Sequence, residues 1–245
     1  MTQSCSSQAS CLGVPVRVHS MIVAAGVGSR FKSEIPKQLT PIFGKTVLEH
    51  SLSGLAKSHF IDHCLIVINA LDTITPHLNF EIPVTFATGG SERWQSVQSG
   101  LQALIKAGVK EDELILIHDA ARPTVPVEDI NCVIQAAFCE EFGAILAAPV
   151  ADTLKKASSN TSGHSYIEQT LDRSVIWQAQ TPQVFRVGAL LQALNHIAVS
   201  GIAITDEASA FEALNLPIRL VVGSRKNIKL TYPEDKIIIE SILAS

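Results

Sequence analysis

The chain has 245 residues, of which 47% are hydrophobic, 17% charged and only 5% aromatic, so it can bury a sizeable core and lacks the composition of a disordered protein. Its formal net charge of −4 makes nucleic acid an unexpected partner, because that ligand attracts chains with an excess of basic residues. No apolar run reaches the roughly 18 residues of a membrane-spanning helix, so no membrane partner is expected either.

The N-terminal segment, residues 1–19, is rich in serine and contains one arginine and no acidic residue. We interpret it as a flexible tail that precedes a single domain at residues 20–245. The five cysteines of the chain form no CxxC pair, which indicates reduced thiols in a reducing compartment. A bacterial cytoplasmic protein is therefore expected, with the plastid stroma as the alternative if the tail is the remnant of a targeting segment.

Six apolar runs predict buried strands, and stretches with a helical spacing of apolar residues lie between several of them. In chain order the runs are VRVHSMIVAA (16–25), CLIVINA (64–70), VTFATG (84–89), ELILIHDA (113–120), GAILAAPV (143–150) and IRLVVG (218–223). The helical stretches include TVLEHSLSGLAK (46–57) and SVQSGLQALIKAG (96–108), and the second ends in a glycine suited to a C-cap. This alternation predicts a three-layer, Rossmann-like α/β domain with a mostly parallel sheet, in which ligands bind beyond the carboxyl ends of the strands.

One polar segment, KKASSNTSGHSYIEQT at residues 155–170, interrupts the alternation. Its centre consists of serine, asparagine, threonine and glycine, and short strand-like pieces flank it. The pattern favours a protruding β-hairpin over a second domain. We place this β-arm at about residues 152–182.

The first predicted strand runs into a glycine-containing loop at the edge of the sheet where ligands are expected. Small residues at its start leave room for a ligand against the backbone, whose exposed N–H groups form an anion-binding nest. These residues are Ala24, Ala25, Gly26 and Gly28. Arg30 and Lys37 then place two positive charges seven residues apart, which suits a polyphosphate.

This loop does not match the common nucleotide fingerprints. Phe31 stands where the dinucleotide motif GxGxxG needs its third glycine, and the motif GxxxxGK[ST] is absent as well. From the spacing alone, a triphosphate-binding loop and an ordinary glycine-rich turn both stay open.

The motif HDAARP follows the apolar run ELILI and brings a carboxylate to the same edge of the sheet. Asp119 there either binds Mg²⁺, which prefers carboxylate and phosphate oxygens, or caps a turn. We interpret His118 as a packed or hydrogen-bonded histidine and not as a catalyst.

Two further motifs, TDEAS and NIKLT, lie in the C-terminal part of the chain. Thr205 is predicted as a helix N-cap and is a candidate phosphate ligand. The negative charges of Asp206 and Glu207 would interact favourably with the dipole at the start of this helix. Lys229 lies in a strand-like alternation of apolar and polar residues, where a single lysine is usually solvated.

Taken in order, the motifs resemble the 2-C-methyl-D-erythritol 4-phosphate cytidylyltransferase family of the non-mevalonate isoprenoid pathway. The series is AAGVGSRF, PKQ, TGGSERWQSVQSGL, HDAARPTV, PVADTLK, DRSVIWQAQTPQVF, TDEAS and NIKLT, and it spans the chain from about residue 20 to the C-terminus. The resemblance implies transfer of CMP from CTP to methylerythritol 4-phosphate with release of pyrophosphate and with Mg²⁺ as cofactor. It also implies in-line attack of the substrate phosphate without a covalent intermediate, and a homodimer in which the arms reach across the subunits.

The resemblance also assigns roles to residues by their position in the motifs. The catalytic cations are Arg30, Lys37 and Lys229. The CTP-binding residues are Ala24, Ala25, Gly26, Gly28, Gly90, Ser96 and Asp119, and Asp119 is also the metal ligand. The residues around the sugar phosphate are Arg122, Arg173, Thr181 and Thr205, of which Arg173 and Thr181 belong to the arm and act in the neighbouring subunit.

Two alternative functions stay open at this point. A sister cytidylyltransferase that acts on a pentitol phosphate, such as ribitol 5-phosphate, shares the glycine loop and the PKQ and NIK motifs, whereas HDAARP and TDEAS favour the methylerythritol substrate. A non-catalytic nucleotide-binding module would keep the fold, but it would not need three cations around one reacting phosphate. Pyrophosphate release distinguishes the enzymes from the binding module.

Overall fold

The structure is a computed structural model and describes residues 16–26, 35–159 and 163–245. The strands are β1 (Val18–Val23), β2 (Pro41–Ile42), β3 (Lys45–Thr46), β4 (Cys64–Ile68), β5 (Val84–Thr88), β6 (Leu114–Asp119), β7 (Gly143–Pro149), β8 (Lys155–Ser159), β9 (Ser165–Thr170), β10 (Trp177–Arg186) and β11 (Arg219–Val222). The α-helices are α1 (Val47–Ala56), α2 (Arg93–Lys106), α3 (Val127–Phe138), α4 (Val187–Ser200), α5 (Glu207–Glu212) and α6 (Asp235–Leu243).

Seven strands form the main sheet, in the order β11-β7-β10-β6-β1-β4-β5. The pairs β6–β1, β1–β4, β4–β5 and β11–β7 are parallel. Among the described strands of this sheet, only β10 is antiparallel to its neighbours, β6 and β7. The prediction of a mostly parallel sheet is confirmed.

Helices cover both faces of the sheet. Leu52 of α1 packs in one core with Leu116 of β6, and α3 belongs to the same side. Leu101 of α2 packs in the other core with Ile117, the next residue of β6, and α4 and α5 complete that side. Because successive strand residues enter opposite cores, the central strands are apolar without interruption, as the predicted three-layer arrangement requires.

All six predicted strands and both predicted helical stretches are present. Thr46 and Glu49 form a capping box at the start of α1, in which the Thr46 hydroxyl accepts a hydrogen bond of 3.2 Å from the Glu49 N–H. At the end of α2, Gly108 follows the C-cap residue Ala107 with φ at +97°, in the left-handed region that glycine adopts without strain.

The structure moves two of the predicted boundaries. Strand β1 begins at Val18, within the segment assigned to the tail, and residues 1–15 lie outside the described part of the chain. The predicted hairpin is confirmed, since β8 and β9 pair antiparallel as a separate two-stranded sheet. The arm ends earlier than residue 182, however, because the chain has joined the main sheet from Trp177 onward.

The strand-like alternation around Lys229 does not correspond to a strand. Residues 227–230 form no strand, because their backbone N–H groups are used elsewhere: Leu230 donates to the Ala121 carbonyl at 2.8 Å and Ile228 to the Thr124 hydroxyl at 3.1 Å. These bonds fasten the segment to the loop after β6. None of the helices in the described residues is both long enough and apolar enough to cross a membrane.

Candidate active site

A cleft of about 590 Å³, part of it open to solvent, lies beyond the carboxyl ends of β1 and β6. These two strands are parallel neighbours, and their register places Val23 opposite Asp119. The start of α2 forms another wall through Glu92 and Arg93, and Lys229 reaches the cleft from the segment after β11. The location agrees with the edge at which open α/β sheets bind their ligands.

Eight of the predicted site residues line this cleft together. They are Ala24, Ala25, Gly26, Lys37, Gly90, Ser96, Asp119 and Lys229. Gly28 and Arg30 lie outside the residues that the structure describes, so their roles stay predictions. Five separate motifs of the sequence therefore meet at one place, although up to 205 residues separate them along the chain, from Ala24 to Lys229.

The wall formed by the small residues is held by Gln38, which the sequence analysis did not single out. Gln38 is 5% exposed, and its side-chain amide donates a hydrogen bond of 2.7 Å to the Ala24 carbonyl. Lys37, the residue before it, opens a short 3₁₀ helix that follows Pro36. The PKQ motif thus holds the backbone at Ala24, directly after the end of β1, while it brings a lysine into the cleft.

The TGG motif forms the opposite wall. The Ser96 hydroxyl accepts a hydrogen bond of 3.1 Å from the Gly90 N–H and lies 3.2 Å from the Glu92 carbonyl, to which it donates. A Cβ atom added to Gly90 would lie 2.5 Å from the Cβ of Gln95, so only glycine fits at this close approach. The predicted roles of Gly90 and Ser96 in binding CTP stay predictions; the observed role of Ser96 is to hold this turn.

Asp119 is the centre of the charged groups in the cleft. Its Oδ2 accepts a hydrogen bond of 2.6 Å from the Lys229 ammonium and lies 3.7 Å from Nε of Arg122, while its Oδ1 accepts bonds of 3.1 and 3.0 Å from Nε and Nη2 of Arg93. Burial would raise the pKa of the Asp119 carboxyl, but the three cations outweigh it and hold this pKa well below its usual range. Asp119 is therefore ionised whenever the protein is folded near neutral pH.

Arg93 is a site residue that the sequence analysis missed. Its Nη1 donates to both carboxylate oxygens of Glu207, and its other nitrogens donate to Asp119. A signal for it existed, because an arginine in the first turn of a helix opposes the helix dipole and indicates a specific acidic partner. Asp119, Glu207, Arg93, Arg122 and Lys229 leave the cluster with one positive charge in excess, which suits an anionic ligand.

Thr181 does not lie on the arm, as predicted, but in the buried part of β10 directly behind Asp119. Its hydroxyl accepts a hydrogen bond of 3.0 Å from the Asp119 N–H and donates one of 3.0 Å to Nδ1 of His118. The direction follows from the other ring nitrogen, since Nε2 of His118 lies 3.0 Å from the Arg122 carbonyl and must be the donor there. Thr181 therefore supports Asp119 within its own chain.

The interpretation of His118 as a hydrogen-bonded histidine is confirmed, and it leads to a prediction about stability. Burial lowers the pKa of His118 to about 4. The unfolded chain takes up this proton below about pH 6.5, whereas the folded chain does so only near pH 4, so acid favours unfolding across this window by about 3 kcal/mol. When the pH is lowered from about 6.5 to 4, we expect the free energy of unfolding to decrease by about 3 kcal/mol more in the wild type than in His118→Gln. Urea unfolding at several pH values measures this difference, and equal pH dependence of both proteins would contradict it.

Thr205 is not the N-cap of α5. Asp206 takes that position, and its side chain accepts a hydrogen bond of 3.0 Å from the Ser209 N–H. Thr205 is exposed and lines a second cavity, which shares Glu92 and Arg93 with the main cleft. Thr205 is thus a residue of this neighbouring cavity and is not among those that line the main cleft. Its predicted contact with the sugar phosphate stays a prediction.

Arg122 and Arg173 are not among the residues that line the cleft. Arg122 lies behind Asp119, where its Nη1 donates a hydrogen bond of 2.9 Å to the Asn227 carbonyl. Arg173 is exposed in a 3₁₀ helix before β10 and donates to the Ala151 carbonyl. Their predicted contacts with the sugar phosphate stay predictions, and that of Arg173 requires a second subunit.

The metal role predicted for Asp119 can be compared with its surroundings. Both of its oxygens already accept hydrogen bonds from cations, and a divalent ion would have to displace Lys229 and face Arg93 and Arg122. Within residues 16–26, 35–159 and 163–245, no three His, Cys, Asp or Glu side chains come together as a metal site. In this arrangement Asp119 does not fit as a metal ligand.

A mostly parallel α/β sheet, with small residues and lysines from two distant motifs around one cleft at its carboxyl edge, fits an enzyme of the nucleotidyltransferase class. Comparison with known proteins specifies the type. Residues 18–245 match the family described as "IspD: 2-C-methyl-D-erythritol 4-phosphate cytidylyltransferase", and the chain belongs to this family. It is a cytidylyltransferase.

Similar proteins agree over nearly the whole chain. The 2-C-methyl-D-erythritol 4-phosphate cytidylyltransferase of Psychrobacter arcticus is 52% identical over 92% of this chain and 91% of its own length. A crystal structure of 4-diphosphocytidyl-2C-methyl-D-erythritol synthase is 37% identical and superposes with a TM-score of 0.78 over 93% of this chain and 99% of its own. The corresponding Francisella tularensis enzyme is 29% identical, with a TM-score of 0.78 over 92% and 99% of the two chains. The predicted family and fold class are confirmed.

Proposed function

We propose that the protein transfers CMP from CTP to 2-C-methyl-D-erythritol 4-phosphate, giving 4-diphosphocytidyl-2-C-methyl-D-erythritol and pyrophosphate for isoprenoid synthesis. The observation that carries the proposal is the meeting of eight predicted site residues, including Lys37, Lys229 and Asp119, in one cleft of a chain that belongs to this family. The names of its relatives supply the substrate.

In the proposed reaction, a phosphate oxygen of the sugar phosphate attacks the α-phosphorus of CTP. The new P–O bond forms as the bond to the β-phosphate breaks, and pyrophosphate leaves with the bonding electron pair. The attacking phosphate supplies the nucleophile, so the protein has to align two anions that repel each other and to neutralise the charge that moves onto pyrophosphate. The positive charges of Lys37 and Lys229 fit this requirement, because both lysines line the cleft. Arg30 is assigned to the same role by resemblance.

Lys229 has a partner that sets where its ammonium group lies before substrate binds. It donates to Asp119 at 2.6 Å, and one third of its side chain is exposed toward the cleft. When a phosphate arrives, the ammonium can share its remaining N–H groups with it while Asp119 keeps it in place. We assign Lys229 to the attacking phosphate and Lys37 to the triphosphate.

A requirement for Mg²⁺ is part of the proposal, because reactions at nucleoside triphosphates commonly use an ion that neutralises the phosphate oxygens. The contacts of Asp119 argue that the triphosphate, and not this carboxylate, supplies the ligands. Activity that is lost in EDTA and restored by added magnesium would support the requirement.

We also propose a homodimer in which the β8–β9 arm contacts the neighbouring subunit. The arm supports this, because Tyr166 and Ile167 are 55% and 68% exposed and a hairpin of this size gains little stability by itself. Sedimentation analysis tests the assembly. Removal of the arm should give a monomer.

One assay tests the proposed function against both alternatives. The protein is incubated with each of the four ribonucleoside triphosphates and with methylerythritol 4-phosphate or ribitol 5-phosphate, and pyrophosphate release is followed. Release should be fastest with CTP and methylerythritol 4-phosphate. Faster release with ribitol 5-phosphate, a substrate that the comparisons do not favour, would assign the pentitol enzyme, and CTP binding without release would indicate the binding module.

Arg173→Ala is expected to raise the KM for the sugar phosphate by about tenfold or more and to change the KM for CTP much less, since the arginine is assigned to the substrate phosphate alone. Steady-state kinetics with each substrate varied in turn measures the two effects. Equal effects on both substrates would contradict the assignment.

A mixing experiment tests whether Arg173 acts across the subunit boundary. Arg173→Ala and Lys37→Ala proteins are unfolded, mixed in equal amounts and refolded. If each active site combines Lys37 of one subunit with Arg173 of the other, about a quarter of the sites regain both residues. Assayed at a sugar-phosphate concentration well below the wild-type KM, where Arg173→Ala is impaired, activity then rises well above that of either parent. Activity equal to the mean of the two parents would place both residues in the same subunit.

A further inference from the structure

Glu207 is a fully buried carboxylate whose position the sequence analysis attributed to the dipole of helix α5. The structure gives the capping function to a capping box of Asp206 and Ser209. Glu207 has no exposed surface, and its carboxylate points away from the helix end to Nη1 of Arg93, which donates to both of its oxygens. The helix therefore does not explain why a buried negative charge is present at this position.

Arg93 connects Glu207 to the cleft. Its guanidinium is held at one end by Glu207 and at the other by Oδ1 of Asp119, which accepts from two of its nitrogens. Both lone pairs of Oδ1 thus accept hydrogen bonds from Arg93, and the other oxygen of Asp119, Oδ2, accepts one from the Lys229 ammonium. The orientation of Asp119, and with it the place of Lys229, depends on the plane in which Glu207 holds Arg93.

Stability alone is a weak reason for such an arrangement. Buried ion pairs often contribute little net stability, because removing both charges from water offsets their attraction. Arg93 also occupies a helix start, where a positive charge is unfavourable. Both residues line the second cavity, and Arg93 lines the main cleft as well, so the pair forms the wall between the two.

We propose that Glu207 is a positioning residue of the CMP transfer: it holds Arg93, and through Arg93 and Asp119 it holds Lys229 where the reacting phosphate is received. The inference rests on the proposed function. Glu207 also keeps the guanidinium turned into the wall, because Arg93 without this partner has donors left over for the triphosphate in the cleft.

Two measurable consequences follow from the loss of this carboxylate. Turnover should fall, because Lys229 is no longer held in one place. Binding of pyrophosphate should become tighter, because the cluster gains one net positive charge and Arg93 is released toward the cleft. A residue that only stabilises the fold would leave kcat of the folded protein unchanged.

The test compares Glu207→Gln with Glu207→Asp and with Glu113→Gln as the matched control. Glu113 is a carboxylate that is largely buried and paired with His19 at 2.9 Å at the opposite end of the same sheet. We expect kcat of Glu207→Gln to fall by about 10- to 100-fold, the range for losing a partner that orients a ligand, with KM for CTP unchanged or lower. Calorimetry should show pyrophosphate binding at least about threefold tighter than in the wild type. Glu113→Gln should match the wild type in both.

Glu207→Asp keeps the charge but shortens the side chain, so its kcat should fall while pyrophosphate binding stays at the wild-type value. If Glu207→Gln does not fold, as judged by circular dichroism, this second variant decides. Wild-type kcat in a folded Glu207 variant would overturn the inference and leave the proposed function intact. If the wild type itself releases no pyrophosphate with methylerythritol 4-phosphate, the proposed function fails. The pyrophosphate affinities of wild type, Glu207→Gln and Glu207→Asp then still show whether the charge of Glu207 limits anion binding in the cleft.

Discussion

Replacing Lys37 with alanine is expected to lower kcat by about 100- to 1,000-fold, because one charge that stabilises a transition state in a water-poor site contributes about 3–4 kcal/mol. Lys37 lines the cleft from the short 3₁₀ helix that follows the glycine loop. Among the described residues that line the cleft, the other lysine is Lys229, which is bonded to Asp119, so it does not replace Lys37. Pyrophosphate release under saturating substrates measures kcat, and the circular dichroism spectrum should be unchanged.

The matched control for Lys37→Ala is Lys45→Ala. Lys45 is a half-exposed lysine that pairs with Glu81 at 2.9 Å and is not among the residues that line the cleft. A surface pair of this kind contributes at most about 1 kcal/mol to stability, so this variant should keep its kcat. Retention of more than about half of the wild-type kcat by Lys37→Ala would mean that the triphosphate is neutralised by other groups.

The parallel strands could be predicted because burial on both faces makes them apolar without interruption. Strand β10 could not, although it lies at the centre of the sheet between β6 and β7. Its buried part contains Gln180, Thr181 and Gln183, which composition assigns to a loop. Inside the fold each has a partner: Gln180 donates to the Ser224 carbonyl at 3.0 Å and Gln183 to the Asp206 carboxylate at 2.8 Å. Polar strands of this kind are recognisable only when their distant partners are known.

The candidate site was predictable where a residue acts through its own motif and its position on the sheet. Lys37, Asp119 and Lys229 were found in this way, and they meet in the cleft. Arg93 and Glu207 were not, because their contact joins residues 114 positions apart and each has an ordinary local explanation, a helix surface charge and a helix-dipole acid. The unfavourable position of Arg93 at a helix start indicates that it needs an acidic partner, but it does not indicate which one.

The largest effect on stability is expected from Asp119→Ala, because it removes the single carboxylate that Arg93, Arg122 and Lys229 share. Loss of one partner of a buried ion pair typically costs about 3–5 kcal/mol. Here Arg122 stays buried without its carboxylate, and Arg93 keeps only Glu207. Chemical unfolding should show a loss of this size, and kcat should fall with it because Lys229 loses its anchor at 2.6 Å. Glu140→Ala, which breaks a surface pair with Arg219 at 3.1 Å, should cost less than about 1 kcal/mol.

The pH dependence of a second variant separates the charge of Asp119 from its shape. In Asp119→Asn the volume is kept, so its deficit in unfolding free energy reports the ionised carboxylate. The cations hold the pKa of Asp119 well below its usual range, so its contribution is fully present above the unfolded pKa of about 3.9 and is lost only as the pH falls below that value. The deficit should therefore be constant between about pH 5 and 8 and shrink in stronger acid. A deficit that already shrinks between about pH 7 and 5 would mean that Asp119 protonates there, and that the three cations do not converge on it in solution.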